Sequence, residues 1–179
     1  MRIETARLLI TDLREDMAED LWRNSLDEDN RRFVPDEVFE TLGDAQQVLS
    51  SLMAAAQTGD GPFVYPVLTR QGDNVGYVQL CMAERGWEVG YHIAKPCTGR
   101  GYATEALRAV LRFGFNTLRL NRIEAQHELD NPASGRVMEK CGMRCEGTLR
   151  QRVFNKGRFS DVRLYAILRG DGVPGNEHI

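Results

Sequence analysis

The sequence predicts a mixed α+β (α/β) fold, with about seven strands in one twisted, mostly antiparallel sheet, a parallel pair near its centre and four flanking helices. Three observations lead there. Phe63–Thr69, Val75–Met82 and Trp87–Ile93 are β-rich runs separated by turn residues, the pattern of an antiparallel meander. After Pro96 the apolar period changes from two to 3.6, so that strand, Gly-containing loop, helix and strand form one βαβ unit. The chain then closes on a second hairpin, because Cys145–Phe154 and Phe159–Leu168 flank the turn Asn155-Lys156-Gly157-Arg158.

The remaining elements follow in order. Arg7-Leu-Leu-Ile-Thr11 reads as a first strand, and Met17, Leu21, Trp22 and Leu26 then recur at helical spacing behind Asp12 and Glu15, which resemble a capping box. A second helix is predicted from Asp44 to Gln57, with Ala45, Val48, Leu49, Leu52, Met53 and Ala56 on one face and Gly59 as its stop. Gln71-Gly72-Asp73-Asn74 and Glu84-Arg85-Gly86 supply the turns of the meander. The long helix after the Gly loop presents Ala106, Leu107, Val110, Leu111, Phe115 and Leu118, and Arg122–Glu128 is the strand it leads to. A right-handed crossover makes that strand parallel to the one before the loop. Asn131-Pro132 opens a short last helix as N-cap and N1, with Val137, Met138 and Cys141 inward and Gly142 at its end. Residues 1–170 read as one domain, and the Gly-containing tail from 171 to 179 is expected to fray.

Composition narrows the function. The 179 residues are 42% hydrophobic and 27% charged, an ordinary globular balance with no run of 18 apolar residues and no signal-peptide pattern. A soluble, cytoplasmic protein is therefore expected, with no membrane partner. The four cysteines form no C-x-x-C pair and the three histidines complete no zinc spacing, so no metal is expected. Cys97 precedes the Gly loop but has no recognisable His or Asn partner for nucleophilic work. Residues 1–94 carry 8 Lys and Arg against 17 Asp and Glu, a net −9, whereas residues 95–179 carry 15 against 9, a net +6. The basic half suits a polyphosphorylated ligand, and the acidic half either draws in a cationic substrate or is a set of solvated helix faces. Nucleic acid is not expected as a partner, since no compact basic cluster carries interleaved aromatics.

Gly99-Arg100-Gly101 stands where a strand hands over to a long helix, so unpaired backbone N–H groups and the positive end of the helix dipole converge on it. Two glycines and Ala103 let a phosphate approach the backbone closely. No Lys follows Gly101 as a P-loop requires, and Ala94-Lys95-Pro96-Cys97-Thr98 separates the strand from the glycines, against a dinucleotide fingerprint and a reductase.

The segment Gly90-Tyr91-His92-Ile93-Ala94-Lys95-Pro96, followed by Gly99-Arg100-Gly101-Tyr102-Ala103-Thr104-Glu105-Ala106-Leu107, resembles the central motif of the GNAT superfamily of N-acetyltransferases. More narrowly it is similar to the RimJ/RimL-like branch, which acetylates the N-termini of ribosomal proteins. Other pieces match in family order: Glu4-Thr5-Ala6-Arg7-Leu8-Leu9, Asn121-Arg122-Ile123-Glu124-Ala125, Asn131-Pro132-Ala133-Ser134, Glu139-Lys140-Cys141-Gly142-Met143, Glu146-Gly147, and Gly157-Arg158-Phe159-Ser160-Asp161-Val162. Thr98 departs from the superfamily pattern, which usually has Gln or Arg there.

This resemblance implies a GNAT fold whose central parallel strands splay, with acetyl-CoA as co-substrate. Backbone amides from Gly99 through Arg100, Gly101, Tyr102, Ala103 and Thr104 would hold the pyrophosphate, and the strand end at Ile93 and Ala94 would pair with pantetheine. Asn131 would reach the pantetheine arm, although helix capping already explains it, and Arg136 would lie near the phosphates. Ser134 would protonate the leaving thiolate, with Tyr165 and Tyr102 as hydroxyl alternatives. For the base that frees the attacking amine, Glu88 is the candidate by resemblance, and His127, Glu128 and Asp130 stand near the end of the partner strand. The implied acceptor is a primary amine, either small and cationic or the N-terminus of a peptide such as a ribosomal protein. A homodimer is also implied, and a non-catalytic acetyl-CoA or nucleotide-binding module is the alternative.

Overall fold

The computed structural model describes residues 1–34, 37–58, 62–83, 86–155 and 157–175. Its strands are β1 (Arg2–Glu4), β2 (Leu8–Thr11), β3 (Phe63–Thr69), β4 (Asn74–Ala83), β5 (Gly86–Ile93), β6 (Arg122–Glu128), β7 (Arg144–Asn155) and β8 (Arg158–Leu168). The helices are α1 (Ala18–Ser25), α2 (Glu28–Phe33), α3 (Leu42–Thr58), α4 (Tyr102–Asn116) and α5 (Pro132–Lys140). All eight strands form one sheet in the order β1-β2-β3-β4-β5-β6-β8-β7.

Every neighbouring pair in the sheet is antiparallel except β5 and β6. Those two are in register only at Trp87 with Ile123 and Glu88 with Glu124. Beyond that point neither strand pairs with the other, and the sheet opens into a slot. The parallel, splayed pair is the one the βαβ reading and the resemblance imply.

Alternation along the strands sorts the two faces. Val78, Leu80, Val89, Ile93, Ile123 and Ala125 turn toward α4, whose Ala106, Leu107, Val110 and Leu111 share their buried cluster. Tyr77, Gln79, Glu88, Gly90 and Glu124 occupy the other face of the same strands, over which α1 packs on β4 and α3 on β3. The slot therefore has α4 and α5 on one side and the N-terminal helices on the other.

Two expectations on element number need correction. The sheet has eight strands rather than seven, because Arg2–Glu4 adds an edge strand of three residues, too short to show a period. There are five helices rather than four, because Asp27 accepts a hydrogen bond from the Asn30 amide and caps the six-residue α2, which has no apolar stripe to announce it. The Asp12/Glu15 capping box is absent: a 3-10 turn at Glu15–Met17 precedes α1 without a side-chain cap, and the Asp12 carboxylate instead takes the Met1 ammonium. Gly59, Glu84, Arg85 and Lys156, assigned to a helix stop and two turns, lie outside the described residues. The C-terminal segment is docked through Gly175, whose carbonyl accepts from Arg112 Nη2 at 2.8 Å. Residues 176–179 also lie outside the described residues.

Candidate active site

α4 begins at Gly101, which serves as N-cap at φ 83° with no side-chain cap. Gly99 has φ 74°. A Cβ at Gly99 would meet nothing within 4 Å, so that glycine is needed for its left-handed backbone and not for space. Two left-handed residues around Arg100 turn the chain so that the uncapped amides of Tyr102, Ala103 and Thr104 point out of the helix end. Arg100 sends its guanidinium away from that opening, to the Pro96 carbonyl at 3.2 Å, leaving its backbone as its contribution to the loop.

Arg7, just before β2, braces this loop. Its Nη1 donates to the Arg100 carbonyl at 2.8 Å, its Nε donates to Glu105 Oε2 at 2.7 Å, and its guanidinium carbon lies 4.9 Å from the centre of the Tyr102 ring. Thr5 Oγ1 donates to Glu105 Oε1 at 2.6 Å. Burial acts to raise the Glu105 carboxyl, but these bonds outweigh it and hold the group below the usual carboxylate range. The N-terminal motif Glu4–Leu9 thus acts on the loop nearly a hundred residues away.

Along β5, the Ala94 amide donates to the Val75 carbonyl at 2.9 Å, which turns it toward β4. By alternation the backbones of Ile93, Tyr91 and Val89 face the slot, where β6 has already diverged. Ile93 thus offers a free strand edge, and Ala94 does not.

Across the slot, Asn131 caps α5 through Oδ1, which accepts from the Ser134 amide at 3.3 Å. Ser134 Oγ lies 2.9 Å from the Tyr91 hydroxyl, and that hydroxyl donates to the Ser134 carbonyl at 2.8 Å. Burial pushes the Tyr91 hydroxyl well above its ordinary value, so it stays protonated. The sequence shows Tyr91 only as part of a motif, because the bond that ties it to Ser134 spans 43 residues and leaves no local signal.

A cleft of about 610 Å³ joins these parts. It is bordered by Glu88, Ile93, Gly99, Gly101 through Thr104, Asn131, Ser134 and Arg136, with Cys97, His127, Glu128 and Lys140 also on its walls. Arg100, Ala94, Asp130 and Tyr165 do not border it. Asp130 pairs with Arg158 at 3.4 Å and Arg32 at 3.7 Å, and the Tyr165 hydroxyl donates to Glu139 at 3.1 Å. His127 Nδ1 lies 2.7 Å from the Glu128 carbonyl, and its Nε2 is buried against Gly135. Cys141 is buried and donates to the Thr104 carbonyl, and burial pushes its thiol up to about 12, which makes it inert. Among the described residues no group of three His, Cys, Asp or Glu side chains is arranged to hold a metal, and no helix is long and apolar enough to cross a membrane.

Glu88 stands at the last paired position before the strands part, on the face toward the N-terminal helices. Burial raises its carboxyl above the usual range, and the neighbouring Glu124 raises it further, against a hydrogen bond from Gln126 and the charge of Arg152. On the same face, burial lowers the His92 imidazole despite Asp27, whose Oδ2 is 3.0 Å from Nε2 but out of line for a hydrogen bond. A half-buried carboxylate with a raised pKa, beside a slot that ends at an array of free amides, is suited to accept a proton from a bound cation.

The acetyltransferase (GNAT) domain family matches residues 7–144 of the chain. An uncharacterised N-acetyltransferase of Bacillus subtilis, YnaD, is 31% identical over 171 residues, covering 94% of this chain and 97% of that protein. The crystal structure of a GNAT-family acetyltransferase from Bacillus anthracis superposes with a TM-score of 0.85 at 31% identity, over 95% of this chain and 99% of that one. RimL, a ribosomal alpha-N-protein acetyltransferase solved in complex with coenzyme A, has a TM-score of 0.83 at 18% identity, over 94% and 98% of the two chains, a likeness of fold alone.

Proposed function

Because the chain belongs to the GNAT family of N-acetyltransferases, we propose that it transfers the acetyl group of acetyl-CoA directly to a primary amine, with Glu88 as the base and Ser134 as the proton donor to sulfur. The observation that carries this reading is the position of Glu88, half-buried and with a raised pKa, where β5 and β6 separate. Coenzyme A bound to RimL, a protein of the same fold, supports the choice of cofactor.

The groups on the cleft wall suit the chemistry of this cofactor. The amides from Gly99 through Thr104, with Arg136 and Lys140 on the cleft wall, supply an anion site at a helix N-terminus. The unpaired edge of Tyr91 and Ile93 takes an extended arm as an added strand. Acetyl-CoA, when bound, supplies an acetyl thioester in the slot.

Glu88 has a defined energetic task. A lysine-like amine with a pKa near 10.4 pays about 4.6 kcal/mol to be neutral at pH 7, whereas a peptide α-amine pays about 1 kcal/mol. The ammonium nitrogen loses two protons in the reaction. Glu88 accepts one and returns it to solvent, which frees the lone pair that forms the C–N bond. As the C–S bond breaks, Ser134 passes a proton to the sulfur and recovers the second proton of the nitrogen. Tyr91 holds the Ser134 hydroxyl through its own.

The test is to incubate the protein with acetyl-CoA and a broad amine panel, reading thiol release against product mass. One thiol per acetylated amine is expected. If CoA protects the fold against heat while no amine is acetylated, the chain is a binding module and the proposal fails.

A further inference from the structure

We infer that the acceptor is a primary amine carrying an apolar group, between an isobutyl chain and a single aromatic ring in size, seated in a second cavity beneath α1 and α3. This rests on the transfer reading above and specifies its acceptor. The cavity measures about 240 Å³, and Met17, Leu21, Val48, Leu52, Val64 and Pro66 form its apolar walls. An enclosed apolar cavity of roughly 150 Å³ is enough to take up benzene, so this one has room for a ring or a branched chain with a short stem.

The cavity is not a packing defect remote from the chemistry. Asn30, Glu37, Tyr77 and Gln79 border both it and the cleft. Gln79 lies opposite Gly90, two residues from Glu88 on the same face of β5. A group seated in the cavity therefore leaves its amine at the entrance to the slot.

Two polar features mark that junction. Asn30 is 1% exposed; its Nδ2 donates to the Asn24 carbonyl at 3.1 Å, while its Oδ1 has no hydrogen-bond partner among the described residues. That oxygen is closed even to a water-sized molecule, so the side chain marks the junction without offering a ready contact to the acceptor molecule. The Tyr77 hydroxyl donates to the Glu37 carboxylate, which puts negative charge beside the same opening. One ammonium or amide end and one apolar end match this arrangement.

A polyamine does not match it. Part of the acidity of the N-terminal half is engaged elsewhere: Glu19 pairs with Arg23, Asp29 with Lys95, and Asp27 accepts from the Asn30 and Lys95 amides. Glu37 is the one carboxylate among the described residues that borders the cavity. A second ammonium pushed between Leu21 and Leu52 would be desolvated with no counter-charge.

The same chemistry is carried by a free apolar amine and by a peptide whose first side chain is apolar. The experiment compares kcat/KM for isopentylamine and 2-phenylethylamine, for leucinamide and phenylalaninamide, and for glycinamide and spermidine. Leucinamide and phenylalaninamide are each expected to exceed glycinamide, and isopentylamine and 2-phenylethylamine to exceed spermidine, by roughly 10- to 150-fold, the effect of burying one such side chain; with rates referred to the neutral amine, the better of the two apolar pairs identifies the source. Leu52→Phe, which fills the cavity, should lower the ratio of leucinamide to glycinamide at least tenfold. Protection of the variant by CoA against heat verifies its fold, and the milder Val48→Leu should lower the ratio in the same direction. Spermidine or glycinamide as the best substrate, or an unchanged ratio in both variants, overturns the inference and leaves amine acetylation standing. Failure of every amine overturns the acetylation reading as well.

Discussion

On the proposed CoA side of the cleft the recognising groups belong to the main chain: the amides around Gly99 and Gly101, the open edge of β5, and the cap at Asn131. On the acceptor side they are side chains drawn from three helices and two strands, among them Leu21, Asn30, Leu52, Val64 and Tyr77. A backbone site needs a conformation, which a few glycines impose within six residues. A side-chain cavity needs a volume, which many distant residues define jointly. The two walls of one cleft should therefore respond to substitution in different ways.

The largest separation is expected from Glu88→Gln, which lies between them. Removing a general base should lower kcat on a lysine-like amine by about 10²- to 10⁴-fold, with CoA affinity retained. The folded-state pKa of Glu88 is raised, so its contribution to stability is full below the unfolded value near 4.3 and is lost as pH rises through the folded value. The Gln variant should consequently melt higher than the parent at pH 7 and gain nothing at pH 3.5. An unchanged kcat, or a loss of CoA binding, would remove Glu88 from the base role.

Next in size is Gly101→Glu. An L-residue at φ 83° costs about 1–2 kcal/mol of stability in the free and the bound protein alike, whereas a carboxylate beside the bound diphosphate adds about 1 kcal/mol of repulsion that acts on binding alone. CoA affinity should fall about fivefold or more by calorimetry. Gly72→Glu is the control, since Gly72 also has a positive φ, of 96°, but sits in the hairpin turn after β3. Equal losses of CoA affinity in the two variants would mean that strain, and not the site, is being measured.

The same contrast explains what was legible in the sequence. The Gly loop, the α5 cap at Asn131-Pro132 and the β5–α4–β6 unit are short-range patterns, and the structure carries each of them. Ala94 illustrates the limit, since only the register with β4 decides that its amide points to Val75 and away from the slot. Arg7 shows another: its side chain acts on Arg100 and Glu105, and nothing in Glu4–Leu9 announces partners so far along the chain. The acidic N-terminal half is open to two readings, a cationic acceptor or solvated helix faces, and the contacts of Asp27 with the Lys95 amide and of Asp29 with the Lys95 ammonium exist only once α2 is packed against the end of β5. The proposed acceptor cavity was not legible at all, because its walls are scattered from Leu13 to Gln79.

The smallest expected effect separates Glu88 from Glu128 and His127, the candidate bases on the β6 side of the cleft wall. Glu124 faces Glu88 across the last paired position and is the second cause, after burial, of its raised pKa. Glu124→Gln removes that repulsion while Arg122 keeps its bidentate hold on Glu146, at 2.9 and 2.5 Å, so the sheet retains its local anchor. The acid limb of kcat/KM, which reports the base in the free enzyme, should then move to lower pH with the plateau rate nearly unchanged. Were His127 or Glu128 the base, the limb would not follow Glu124, since neither shares its register position with β5. A limb that stays in place in this variant takes the base role from Glu88, and the entrance to the slot then loses its claim to be where the amine is deprotonated.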